Sequence, residues 1–427
     1  MRLDEHFVLR KFADIYYLFP TGQKIADYKQ SLELNESSGY LLELLCEEIE
    51  FDDIVKKFTE KYHLTKEDLP GLKKDLNELV DWLIESGYVI DKSDYSDMNT
   101  VKSGGADICN LKCVKEEVNC KKAKCEITSG SENGIKNNIN VFENCYKTGP
   151  LFVVYNGPKE LLHKNWQKFK FEESVTSSDK IQHFTLINAV PKEHLNGVVI
   201  LRNREVIIMD TPQFYVMLFP ETADIHELHI SKDGQQALCY YAYSEDTAEL
   251  KEKIFMAMRF AFVVFAQNND CYLIHSASVE YNGCAWLFSG KSGEGKSTHT
   301  KLWNKYYGSA LINGDLNMVG FENEEAVVYG IPWCGTSEIY TEKKYKLGGI
   351  VFIKQSAKDF VEKTPSDKSQ LMFMQRTISP LWTRQLFEKT ADFAEKLTGK
   401  IRVCRLYCTE NASAAAKMKE YIDSVSQ

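Results

Sequence analysis

A chain of 427 residues, 44% of them hydrophobic and 26% charged, belongs to the ordinary soluble globular class. It is too long for one simple core, so two or three domains are expected. Its net charge of -9, spread without a long run of one sign, argues against a general affinity for nucleic acid or an anionic membrane. The first residues, Met1-Arg-Leu-Asp-Glu-His6, have no apolar signal core, and no stretch reaches the length of a membrane span; a cytoplasmic location is expected. Most of the twelve cysteines lie singly in apolar strands, as Cys239, Cys284 and Cys404 do, where a thiol acts as a small hydrophobe, so a reducing compartment fits.

In chain order, Phe7 to Pro20 and Lys29 to Leu34 read as a small β-sheet. Three helices follow. One is capped by Asn35 or Ser37 and runs through Glu47, a second carries Ile54, Val55, Phe58 and Tyr62, and a third starts at a Thr65/Asp68 capping box and ends at Gly87. Strands followed by three helices within about ninety residues suggest a winged-helix-like unit. The segments Phe7 to Phe19, Leu32-Glu-Leu-Asn35, Ser38-Gly-Tyr-Leu-Leu42, Phe51-Asp-Asp-Ile-Val55 and Leu79 to Val89 resemble the PqqD-like family, the RiPP recognition elements. That resemblance implies capture of a ribosomally made precursor peptide and work alongside other peptide-maturation enzymes. A helical docking or dimerisation domain is the alternative for residues 1–90.

Residues 91–149 lose the apolar pattern and read as a flexible linker or insertion. Cys109, Cys113, Cys120, Cys125 and Cys145 lie here. The first four could bind Zn2+ or an iron-sulfur cluster, but the spacing is not the usual C-x2-C pairing and lysines are interleaved, so free thiols are the competing reading. Residues 150–245 hold several short β-like runs, Leu151 to Tyr155, Val198 to Leu201, Val206 to Met209 and Phe214 to Phe219, and read as a β-rich lobe. Ala248 to Phe265 is a helix apolar on most sides, which implies burial.

The chemistry centres on Gly290 to Ser297, Gly-Lys-Ser-Gly-Glu-Gly-Lys-Ser, which fits G-x-x-x-x-G-K-[ST] at every position. It sits between a short apolar strand, Ala285 to Ser289, and a helix-compatible segment from Thr298, the setting a phosphate-binding loop requires. Glycines 290, 293 and 295 let successive N–H groups converge on one anion, Lys296 reaches the outer phosphates and the Ser297 hydroxyl can ligate Mg2+. An incidental Gly/Ser turn is the bland alternative. Ala310 to Asp315 is an apolar strand ending in a carboxylate, where Asp315 and Ser297 can bracket one Mg2+, the alternative being a solvated aspartate. Lys354 and Arg376 are candidates to neutralise a transferring phosphate or solvated cations, and Pro332-Trp333 a wall of the site or plain core. Further strands are expected at Gly349 to Ile353 and Arg402 to Tyr407, and a last helix from Ala412 to Val425.

Ile274-His-Ser-Ala-Ser-Val279, Phe288 to Trp303, Leu311-Ile-Asn-Gly-Asp315, Tyr329-Gly-Ile-Pro-Trp-Cys-Gly-Thr336 and Leu347 to Gln355 resemble the HPr kinase / ATP-type phosphoenolpyruvate carboxykinase superfamily. The resemblance implies a mixed α/β (α+β) nucleotide domain over residues 246–427 with ATP and Mg2+ as cofactors. Carried over by position, Gly290, Ser292, Gly293, Glu294, Gly295, Lys296, Ser297 and Thr298 hold the nucleotide, Ser297 and Asp315 the metal, and Lys296, Asp315 and His275 are catalytic. His275 would orient or deprotonate an acceptor hydroxyl, or is a hydrogen-bonded core histidine. The family has two consecutive aspartates, the first regarded as the base, where this chain has Gly314-Asp315, so the metal ligand is kept and either His275 or Asp315 doing double duty is the candidate base. The resulting expectation is a kinase that phosphorylates Ser or Thr of a captured precursor peptide. A small-molecule kinase and a nucleotide-binding scaffold without phosphotransfer remain as alternatives.

Overall fold

The computed structural model describes residues 1–12, 14–25, 31–91, 142–176, 178–191, 195, 197–243 and 246–425. The chain forms two compact units, Met1–Asp4 with Leu44–Ile139, and Glu5–Glu43 with Asn140–Gln427. The split cuts through the winged-helix-like unit expected over residues 1–90.

In the smaller unit, helices Phe51–Tyr62 and Leu69–Glu85 accompany an antiparallel pair, Arg2–Leu3 with Val89–Ile90. The first helix buries Ile54, Val55 and Phe58, and His63 at φ 51° ends it. The second begins four residues later than its expected start at Thr65. Both the N–H and the hydroxyl of Thr65 donate to Asp68 Oδ2, at 2.8 and 2.7 Å. This closes a turn instead of opening a helix, and Pro70 then occupies the first helical turn.

The larger unit opens with an antiparallel sheet of Phe7–Phe12, Ile15–Pro20 and Leu32–Leu34, then helix Glu36–Leu44. Asn35 Oδ1 caps that helix by accepting from the Ser38 N–H at 2.8 Å. Both faces of the sheet need cover. Val8, Phe12, Tyr17 and Phe19 join one apolar cluster with Tyr272, Phe387 and Ala391, and Phe19 and Phe387 rings are 4.9 Å apart. At the rim Arg10 pairs with Glu388 at 2.8 Å and also with Asp392 and Glu395. Burial against helix Arg384–Lys400 is therefore what assigns these strands to the larger unit.

Two large sheets follow. The first runs in the order Val198–Arg202, Ile207–Asp210, Phe214–Leu218, Ile225–Ser231, Gln236–Tyr241, Lys180–Asn188, Leu151–Asn156, Cys145–Thr148 and Lys170–Phe171. Only Lys180–Asn188 runs parallel to its two neighbours. Cys145, read from sequence as part of the linker, is a buried strand residue whose thiol burial pushes up to about 11. Helix Thr247–Gln267 buries twelve of its 21 residues, as its all-round apolar sequence requires, and its core reaches both sheets through Ile230 and Tyr155 on one side and Leu273 and Met318 on the other.

The second sheet closes on itself. Cys284–Ser289 pairs antiparallel with Tyr272–Tyr281, which pairs with Leu316–Glu322, then Glu325–Tyr329, then Lys344–Gln355, and the last runs parallel to Cys284–Ser289 again. Arg402–Cys408 and Phe360–Lys363 extend the open edge. Helices Lys296–Tyr307 and Ala412–Val425 bury Trp303, Ala414, Ala415 and Met418 in a common apolar cluster with Phe288 and Val351 of this sheet.

A buried hydrogen bond from the Thr148 hydroxyl to the Gly330 carbonyl, 2.6 Å, ties the first sheet to the second. A Cβ on Gly330 would lie 1.9 Å from the Thr341 carbonyl oxygen, a backbone atom that cannot step aside. Gly330→Ala should therefore lower stability by about 1–3 kcal/mol or more, read as an earlier thermal unfolding transition; an unchanged transition would refute this packing.

Candidate functional site

The loop Gly290–Gly295 leaves the end of strand Cys284–Ser289 and delivers the chain into helix Lys296–Tyr307. Two of its glycines do the bending. Gly293 has φ 82° and Gly295, the residue capping the helix, φ 96°, values that cost any residue with a Cβ. The cap makes no side-chain hydrogen bond, so the first N–H groups of the helix, around Ser297 and Thr298, are donors for an anion, aided by the helix dipole. Ser297, Thr298, Lys291 and Ser292 are exposed, whereas Lys296 is buried.

Two side chains brace the loop. Lys296 Nζ donates to the carbonyls of Gly290 and Lys291 at 3.1 and 3.2 Å, and burial lowers its pKa while Asp315 opposes that shift. Glu294 turns inward: its carboxylate accepts from the Lys291 N–H at 2.5 Å, and the same oxygen would lie 2.5 Å from a Cβ on Gly290. A side chain at 290 would thus displace the Glu294 carboxylate from the Lys291 N–H. Glu294 supports the loop's shape, and Gln355 adds a bond to the Gly293 carbonyl at 3.0 Å.

The acidic partner lies where the strand Leu311–Asn313 ends. Asp315 Oδ1 is 3.1 Å from His275 Nε2, with the two side chains 34% and 36% exposed. The hydrogen bond from His275 holds the Asp315 carboxyl below its ordinary range against the pull of desolvation, helped by the charges of Arg259 and Lys296. Lys296, His275 and Asp315 therefore converge in one electrostatic neighbourhood. Gly335, at φ 58°, presses against Asp315: a Cβ there would meet the carboxylate carbon at 2.9 Å.

Behind these groups lies a buried polar ladder. Asn313 Oδ1 accepts from the N–H groups of Asp315 and Leu316, and its amide donates to the Trp333 carbonyl. Ser278 bonds both the Asn313 N–H and Asn317 Oδ1, while Asn317 donates to Ser276. Ser289 donates to the His275 carbonyl at 2.7 Å. The histidine is thereby tied to the strand that feeds the loop.

Gly314, where the resembling family has an aspartate, has a specific neighbour. A Cβ at 314 would be 2.1 Å from Ser337 Oγ, which donates to the Cys334 carbonyl at 2.6 Å. A side chain at 314 is therefore excluded unless Ser337 moves.

Cavities border the loop and the His275–Asp315 pair. One of 320 Å³ is lined by Arg259, His275 and Asp315. One of 240 Å³ gathers Lys291, Lys354, Arg376 and Arg405 beside Gly290, and the Arg376 carbonyl accepts from the His275 N–H at 2.9 Å. The third, 550 Å³, lies along Gly293, Gly295, Thr298, Leu302, Cys408 and Asn411. Lys354 and Arg376 thus line a cavity that borders the loop. Trp333 instead packs in the core, 98% buried, its indole N–H donating to the Phe255 carbonyl at 3.0 Å.

Sequence reading missed Arg259, Ser276, Ser278, Asn313 and Asn317. An arginine within Ile254-Phe-Met-Ala-Met-Arg-Phe-Ala-Phe262 and small polar residues alternating within an apolar strand were the available signals. The ligand set proposed for Cys109, Cys113, Cys120 and Cys125 lies outside the described residues. Among the described residues, no group of three or more His, Cys, Asp or Glu side chains is placed to hold a metal. The expected pair, Asp315 and Ser297, would leave most ligands of a Mg2+ ion to phosphates and water.

The loop helix also carries a pH-sensitive residue. His299, 2% exposed, accepts from the Trp303 indole N–H at 3.1 Å, and burial depresses its pKa to about 4. The folded chain holds it neutral while the unfolded chain protonates near the ordinary value, so stability falls as pH drops from about 6.5 toward 4. His299→Gln should flatten that part of a melting-temperature profile, a difference on the order of 3 kcal/mol at its full extent; parallel profiles for the two proteins would overturn the assignment.

No family model matches the sequence, and no curated protein matches it. Among solved structures, the HPr(Ser) kinase/phosphatase from Coxiella burnetii is similar at 10% identity with a TM-score of 0.22, over 36% of this chain and 99% of that one. So low a superposition score says nothing about reaction or ligand. Among the described residues, no helix is long and apolar enough to cross a membrane.

Proposed function

We propose that the chain is an ATP-dependent phosphotransferase that phosphorylates a hydroxyl, with Ser or Thr of a ribosomally made precursor peptide as the acceptor. The observation that carries the reading is the meeting of the Gly293/Gly295 loop with the Lys296, Asp315 and His275 cluster. Loop and helix N–H groups receive the phosphates, and Lys296 neutralises them. Mg2+ held by Ser297 and Asp315 would supply further charge neutralisation on the phosphate oxygens.

The direction of the nucleotide follows from its surroundings. In this reading the terminal phosphate faces His275, Asp315, Arg259 and Arg376, and the nucleoside occupies the 550 Å³ cavity along Thr298 and Leu302, which those four residues do not line. The acceptor oxygen forms the new bond to the terminal phosphorus as the bond to the β–γ bridging oxygen breaks, and ADP leaves. With Nε2–H directed at Asp315, His275 has Nδ1 to take the hydroxyl proton, and the Asp315 carboxylate stabilises the resulting imidazolium. Ser337 fills the space beside Gly314, which favours His275 for this role. The resemblance of the N-terminal segments to peptide-recognition modules supports a peptide acceptor and co-working maturation enzymes.

Incubation with Mg-ATP and candidate precursor peptides should add the mass of one phosphate, and no addition with any candidate would count against the proposal. Lys296→Ala should weaken ATP binding more than tenfold by calorimetry. His275→Gln should leave ATP affinity near the parent value yet lower kcat by about 100-fold or more; an unchanged kcat would remove His275 from the chemistry.

A further inference from the structure

A cleft of 660 Å³ lies between the N-terminal sheet and helices Ser366–Met374 and Arg384–Lys400, all within the larger unit. Tyr17, Phe19, Leu371, Met374, Leu381 and Phe387 make its walls apolar. Its mouth is basic, because Lys291 and Arg376 line both this cleft and the 240 Å³ cavity beside Gly290. The cleft is thus continuous with the side of the loop where the terminal phosphate was placed above.

One polar atom in the wall is left over. Tyr17 is 1% exposed, and its hydroxyl meets only the Glu33 carboxylate, in poor hydrogen-bond geometry. It stands opposite Glu33 across the strand pair, and Glu33 also lines the cleft. Burial first, then the carboxylates of Glu33 and Asp367, push the phenol up to about 12, so it stays a donor. A ligand carbonyl would give this buried donor a partner of good geometry.

We infer that this cleft binds the acceptor as an extended polypeptide segment, with large apolar side chains beside the hydroxyl residue that enters past Lys291 and Arg376. The inference rests on the phosphotransferase reading. A small polyol acceptor could bond Glu33, Gln375 or Thr377 but would leave the apolar side chains of Phe19, Leu371, Met374 and Leu381 uncovered. A peptide supplies both needs at once: apolar side chains for Phe19, Leu371 and Leu381, and backbone carbonyls for Tyr17. The apolar neighbours anchor the segment and so bring its hydroxyl to the loop.

The test uses the full chain and fluorescein-labelled peptides carrying one central serine, flanked by Leu and Phe or by Gln and Ser. Fluorescence anisotropy without nucleotide should show the apolar-flanked peptide binding at least tenfold more tightly. Leu371→Glu and, separately, Leu381→Glu, both at partly exposed positions, should weaken it at least tenfold, while Leu371→Met retains it. Tyr17→Phe should weaken it severalfold. ATP affinity by calorimetry should be unchanged in all four variants, which also shows that they fold. Equal binding of the two peptides, or unaltered binding to both glutamate variants, overturns the inference. So does a dimer that Leu371→Glu converts to monomer, since a second copy then fills the cleft. Peptide binding with no ATP binding in the parent protein instead refutes the phosphotransferase reading alone.

Discussion

Two irregular stretches of backbone, Gly290–Gly295 and Gly314–Asp315, leave strands of a closed ring, the second directly after Asn313. Backbone that leaves a strand at the edge of the core keeps its shape through side-chain partners for its N–H and C=O groups. Here Asn313 serves the second stretch by accepting from Asp315 and Leu316, and Lys296 serves the first by donating to the Gly290 and Lys291 carbonyls. The Ser276, Ser278 and Asn317 ladder then locks Asn313 to the strand bearing His275. The position of the acidic group relative to the anion-binding loop follows from that polar interior. Partly satisfied networks of this kind are unstable, so loss of any member would loosen the whole arrangement.

The electrostatics follow from the same placement. Lys296 and Arg259 are partly stripped of water, which lowers the pKa of each, and Asp315 offsets the shift in both. Asp315 is itself held ionised by His275 before either cation contributes. Positive groups of reduced hydration around one carboxylate are the arrangement on which the proposed binding of a polyanion with a divalent cation rests. Crowding by Ser337 next to Gly314 confines the acidic chemistry to a single carboxylate.

The N-terminal sheet shows how burial overrides sequence proximity. Three strands and three helices in the first ninety residues read as one module, yet Phe12, Tyr17 and Phe19 gain their apolar cover from Phe387 and its neighbours. Three strands alone cannot bury two faces, so they join whatever surface completes them. The consequence is a wall of aromatic side chains bordering the loop, built from residues far from it in sequence.

Sequence by itself determined the strand, loop and helix around Gly290–Ser297, the carboxylate at the strand end, the buried character of Thr247–Gln267 and the final helix Ala412–Val425. These depend on local spacing: glycines where φ turns positive, a lysine and hydroxyl at fixed offsets, and periodic apolar residues. It did not yield Arg259, the Asn313 and Asn317 ladder, the inward turn of Glu294 or the Ser337 contact that requires glycine at 314. Each of these depends on atoms brought together across 20 or more residues or on a side-chain direction set by packing. Thr65 and Asp68 make the same point locally, since a capping pair and a closed turn use the same two residue types. Only the surrounding backbone chose between them.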